Sequence, residues 1–203
     1  MQLSVTDLQK GDILLKYSDG SIISKAISAG QSFVGQTNNT IVHAGLLCDQ
    51  VHIVEAQGSG ITLNNLLTGN KRYAYHVYRC NNRSIAAGAG TCAKMLSDIH
   101  KRTGAMSYSV PGAAKSLFNV GGAVKTPQSM DDLLTNVLEG RNNKFFCSQF
   151  VVYVYQFTAE QNGQRGATLF NINDAKSSPS TLASILVSSP NFTEVGVLLP
   201  NTR

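Results

Sequence analysis

The sequence is poor in charge and has no tryptophan. Asp, Glu, Lys and Arg make up 14% of its 203 residues, against about a quarter in an ordinary globular domain. That excludes a long solvated or charge-driven disordered chain, and the 42% hydrophobic content is enough to bury one core. A single domain spanning residues 1–203 is expected. No apolar run reaches the roughly 18 residues that a spanning helix needs. The N-terminal stretch MQLSVTDLQKGDILLK lacks the basic, apolar and small-residue succession of a secretory signal. Synthesis in the cytoplasm without a signal peptide is therefore expected. The four cysteines, Cys48, Cys80, Cys92 and Cys147, are too sparse for a disulfide scaffold. They also show no CxxC or paired-His spacing for zinc. Seventeen Lys and Arg against twelve Asp and Glu give a net charge of +5, which favours an anionic surface. The basic residues are scattered, so no nucleic-acid stripe is formed.

What is present is a run of short strands followed by helical segments. GDILLKY at 11–17 reads as a buried strand entered through a turn. IVHAGLL at 41–47 and VHIVEA at 51–56 read as a hairpin, and AYHVYRC at 74–80 as a further strand. Beyond Gly90, Cys92, Met95, Leu96 and Ile99 recur with helical period, and Gly104 stands where a C-terminal cap would. A Gly/Ala-rich loop is expected at 110–125 and a short helix between Ser129 and Gly140. FFCSQFVVYVYQF at 145–157 is apolar without alternation, so helix and strand both remain open. Its Tyr153, Tyr155 and Phe157 read as packing aromatics. Ser178-Pro179 marks the start of a helix through Leu186, and a last strand is expected at 193–199.

The hairpin carries the chemical argument. With residues 48–50 as its loop, Leu47 lies opposite Val51, Gly45 opposite Ile53 and His43 opposite Glu55. Opposed residues share a sheet face with side chains about 5 Å apart. A carboxylate there can fix the tautomer of an imidazole and stabilise its protonated form. His52 falls on the other face of its strand and reads as exposed or structural. His76 alternates within its strand with no visible partner. Among the cysteines, Cys92 lies on an apolar helix stripe, Cys48 in the hairpin loop and Cys80 at a strand end. Cys147 opens an apolar run. If that run is a helix, the backbone dipole and a nearby imidazole would both favour its thiolate. A buried structural cysteine is the competing reading.

The order GDILL, HAGLL, VHIVEA, FFCSQFV resembles the circularly permuted branch of the NlpC-type papain-like cysteine hydrolases (YiiX/YaeF-like), related to the lecithin retinol acyltransferase group. His43 precedes Cys147, as permutation requires. The resemblance implies an α+β, permuted papain-like fold, with a small antiparallel β-sheet or barrel packed against helices. It implies Cys147 as nucleophile, His43 as base and Glu55 as the orienting group. GAMSYS at 104–109 resembles a segment that would put Tyr108 near the cleft; Tyr17 is a candidate second oxyanion donor. No metal or cofactor is required by this chemistry. The long Gly/Ala-rich stretch from about 110 to 143 departs from the family pattern. The expected activity is hydrolysis of an amide in cell-wall peptide, by a type VI-like antibacterial effector acting in a target-cell periplasm. An immunity protein and a secretion-machine carrier would be its partners. Lipid acyl hydrolysis or transfer, and a non-catalytic binding domain, are the alternatives.

Overall fold

A computed structural model describes residues 1–17, 41–57, 59–104, 106–108, 143–172 and 177–200, with only the backbone of 106–108 and 143–145. The expected loop at 110–125 and helix at 129–140 lie outside the described residues. The described chain is α+β, with a seven-stranded, mostly antiparallel sheet, a two-stranded sheet and three α-helices.

The strands are β1 (Gln2–Leu3), β2 (Ile13–Tyr17), β3 (Ile41–Leu47), β4 (His52–Gln57), β5 (Gly60–Asn65), β6 (Tyr75–Cys80), β7 (Met106–Tyr108), β8 (Asn143–Phe145) and β9 (Phe192–Leu198). The large sheet runs β1-β9-β6-β2-β3-β4-β5, with only the β1–β9 pair parallel. β2 is central and buried on both faces. Ile13 and Leu15 face the larger core beneath the helices, whereas Leu14 faces a second core with Leu3, Leu8, Ile53, Tyr75 and Val77. Two covered faces explain why ILL is continuous rather than alternating. Asp12 in the preceding turn takes both forks of Arg79, at 2.7 and 2.6 Å, and ties that turn to β6.

The hairpin register differs from expectation by two residues: Leu47 pairs with Ile53, Leu46 with Val54 and Gly45 with Glu55. The cause is Asp49, whose Oδ1 accepts from the N–H groups of Val51 and His52 at 2.9 and 2.8 Å. This Asx-type cap makes the loop 49–51, and the Cys48 N–H closes it on the His52 carbonyl at 3.0 Å. A shift of two preserves the side-chain face. His43 and Glu55 therefore remain on one face as diagonal neighbours instead of opposed ones.

Helix α1 (Arg83–Thr103) begins well before Gly90, because Asn82 caps it through Oδ1 to the N–H groups of Ser84 and Ile85. The small residues ahead of Gly90, which hide the amphipathic period, let α1 pack closely: a Cβ on Gly90 would stand 2.7 Å from the Leu47 carbonyl oxygen. Gly104 ends the helix in the left-handed conformation expected of it, φ 65°. The ambiguous apolar run is helix α2 (Cys147–Gln161), buried on nearly every side beneath β3 and β4. All-round burial is why no period is readable there. Helix α3 (Pro179–Ser188) starts at Ser178, whose Oγ accepts from the Thr181 N–H at 3.1 Å. Among the described residues, no helix is long and apolar enough to cross a membrane.

Candidate active site

The site forms where β3 parts from its neighbours. The β3–β4 ladder ends at Gly45↔Glu55, and the β2–β3 pairing bulges at Val42, between Lys16↔His43 and Tyr17↔Ile41. The first residue of α2 meets β3 at this break. There the Ala44 N–H, beyond the end of the β3–β4 ladder, stands on the side of Cys147 and favours its thiolate.

Glu55 is the buried anchor, its side chain 2% exposed. Its Oε2 accepts from Gln57 Nε2 at 3.0 Å, Asn64 Nδ2 at 2.8 Å and Asn70 Nδ2 at 2.8 Å. Asn70 also donates to the Tyr75 hydroxyl at 2.9 Å, which fixes the amide in turn. Burial alone would raise the Glu55 carboxyl; His43 and the Asn70 and Asn64 amides outweigh it and hold it below its usual range. With Oε2 engaged by amides, Oε1 is left for His43 Nε2, 3.3 Å away. That contact lies off the N–H axis, a long ion-pair contact rather than an aligned hydrogen bond. Gly45 makes room for this geometry, since a Cβ there would stand 2.8 Å from Glu55 Cγ.

Cys147 is the N1 residue of α2, capped by Phe146 without a side-chain hydrogen bond. Burial pushes its thiol up, but the His43 side chain and the N–H groups of Ala44 and Ser148 outweigh that and bring it below the usual thiol value. His43 shows the reciprocal effect. Burial opposes its charge, yet contact with Cys147 and Glu55 raises it to about 9. Since Nε2 faces the carboxylate, Nδ1 is the nitrogen left for the thiol. The two shifts run in the directions that favour a thiolate beside an imidazolium, backed by a carboxylate. Because the two groups are coupled, their titration belongs to the pair.

The other thiols behave in the opposite way. Burial pushes Cys48 up to about 11 and Cys92 up to about 12, and raises Cys80 as well. Tyr17 meets a second histidine. The Tyr17 hydroxyl is 3.2 Å from His76 Nδ1, and His76 Nε2 is 2.8 Å from Glu194 Oε1. The Tyr17 hydroxyl thus belongs to a contact with His76 and Glu194. Tyr108 ends β7, its backbone paired with Phe145, two residues before the nucleophile candidate. Its side chain lies outside what is described. His52 sits on the turn, Nδ1 2.9 Å from Asp49 Oδ2, outside the His43–Glu55 pair.

A cavity of about 420 Å³ opens on His43 and Glu55 and is lined also by Lys16, Gln57, Asn64 and Tyr73. Cys147, 3% exposed, is not part of that lining. The sequence pattern gave no warning of Asn64 and Asn70. Gln57 was readable in principle, two residues beyond Glu55 and hence on its face. Among the described residues, no group of three or more His, Cys, Asp or Glu side chains could hold a metal ion. No protein-family model matches the chain, and no curated protein matches it in sequence. The reading of the site therefore rests on its geometry.

Proposed function

We propose that the chain is a cysteine-dependent amide hydrolase of the permuted papain-like type, with Cys147 as nucleophile, His43 as acid–base and Glu55 as the orienting carboxylate. The observation that carries this reading is selective: of four thiols, Cys147 alone is lowered, and it stands at a helix N-terminus beside a histidine raised to about 9.

In the proposed reaction the Cys147 thiolate adds to the amide carbon. His43 then gives its proton to the departing amine, and the carbon–nitrogen bond breaks to leave an acyl thioester. Neutral His43 next takes a proton from water. The resulting hydroxide displaces the thiolate, releasing a carboxylic acid, and the proton on His43 restores the starting pair. The developing oxyanion is matched by the N–H groups of the first turn of α2, which lack intrahelical partners. A cavity lined by amides and a lysine suits a peptide better than a fatty acyl chain. With the resemblance to NlpC-type hydrolases, we propose cell-wall peptide as the substrate and an antibacterial role in a target-cell periplasm after type VI-like export, with an immunity protein as antagonist.

The test is product analysis. Purified cell-wall muropeptides incubated with the protein should yield a new amine and acid pair by mass spectrometry, absent with Cys147→Ser. Fatty-acid release from phospholipid vesicles would move the assignment to lipid acyl hydrolysis. Cys147→Ser retaining full turnover on either substrate would remove the nucleophile.

A further inference from the structure

Lys16 is the direct cross-strand partner of His43, through the pairing of β2 with β3. Opposed residues project to one face, and both line the same cavity. Its ammonium lies 3.2 Å from the centroid of the Tyr73 ring. The Tyr73 hydroxyl in turn accepts from Arg72 Nη2 at 2.8 Å. No carboxylate pairs with Lys16 among the described residues, and the cavity's own carboxylate, Glu55, is already engaged by three amides and His43. An aromatic face attracts an ammonium but does not neutralise it. Among the described residues, the cavity therefore holds one fixed cation beside the imidazole, with no fixed anion assigned to it.

We propose that Lys16 is the anion-recognition residue of this site, so that the substrate carries a carboxylate on the leaving-group side of the scissile amide. This rests on the reading of Cys147 and His43 as nucleophile and acid–base. The side follows from the proton path: His43 delivers its proton to the leaving nitrogen, and Lys16 neighbours His43. A leaving amine with a carboxylate close to it, as in an amino acid or an acidic peptide, fits that placement. Tyr73 holds the ammonium on its ring, and Arg72, which bonds to the same phenol, adds a second positive charge nearby.

The experiment compares alkylation of Cys147 by iodoacetate and by iodoacetamide, reagents of similar size that differ in charge, followed by peptide mass spectrometry. In the wild type at pH 7 the iodoacetate/iodoacetamide rate ratio should exceed that of free cysteine. Lys16→Met, which keeps the aliphatic stem, should lower that ratio about five- to tenfold, as expected for one charge removed several ångströms from the reacting carbon. Lys16→Arg should restore it. A ratio unchanged in Lys16→Met, with Cys147 labelling still dependent on His43, overturns the anion site and leaves the hydrolase reading standing. Cys147 unreactive towards both reagents, or indifferent to His43→Ala, overturns both.

Discussion

Among the described residues, two histidine–glutamate pairs stand on adjacent parts of one sheet. His76 lies 2.8 Å from Glu194 and His43 3.3 Å from Glu55, so the shorter contact belongs to the pair with no nucleophile. The third partner and the surroundings differ. His76 meets the Tyr17 hydroxyl, and its carboxylate is 35% exposed; His43 meets a thiol at a helix N-terminus, and its carboxylate is 2% exposed within three amide donors. A phenol, which burial pushes above its ordinary value here, does not give up its proton to imidazole near neutrality. A thiol lowered by a helix end and an imidazolium can. Histidine–carboxylate distance therefore says little; acidity of the third group and enclosure of the carboxylate decide which pair can do chemistry.

The comparison predicts opposite behaviour for matched substitutions. The largest effect is expected for His43→Ala. Burial would then act on Cys147 without the imidazole and carry its thiol above the usual range, cutting alkylation at pH 7 by about a hundredfold or more. His76→Ala should leave that rate within about twofold while lowering thermal stability by roughly 1–3 kcal/mol, the cost of a buried polar network losing a member. Rate and melting temperature measured on both variants separate the pairs. Glu55→Gln comes next. Its new NH₂ group must face amide donors, so alkylation should fall by about tenfold and stability by about 1–3 kcal/mol. Glu194→Gln, at an exposed carboxylate, should cost under about 1 kcal/mol and leave alkylation unchanged. Gly45→Ala tests the space beneath Glu55. The added methyl meets Ile53 and Glu55 side chains inside 3 Å, so a drop of about 1–3 kcal/mol is expected, with partial loss of thiol reactivity. The smallest effect is expected for Tyr17→Phe, about 1 kcal/mol of stability and no change in alkylation.

These contrasts also mark how far the sequence could be read. The His43–Glu55 relation survived a misplaced turn, because the Asp49 cap moved the loop by one residue and the pairing by two, preserving the face. His76 was read as partnerless. Its glutamate comes from β9, far along the chain, across a bulge between Val77 and Tyr78 that no local pattern announces. The Glu55 amides were missed for a related reason. GITLNN is an edge strand of mixed polarity, and Asn70 reaches the carboxylate from a turn beyond it. The state of 145–157 stayed open because a helix buried all round has no amphipathic period. The divergence of β3 from β4, which brings Cys147 to His43, is a property of three-dimensional packing and has no signature in either strand.

The most direct test of the central claim is the pH dependence of Cys147 alkylation by iodoacetamide in wild type and His43→Ala. In the wild type a lowered thiol and an imidazole raised to about 9 predict labelling that sets in at lower pH than for an ordinary thiol. It should change again as pH rises through about 9 and His43 loses its proton. Linkage has opposite signs on the two sides. The His43 contribution to stability is full below about 6.5, its unfolded value, and is lost as pH rises through about 9. The Cys147 and Glu55 contributions are lost as pH falls through their lowered values. In His43→Ala a single rise above about 9 is predicted, with Cys147 no faster than Cys48. A wild-type profile that coincides with that of His43→Ala would contradict the thiolate–imidazolium pair and with it the proposed enzyme.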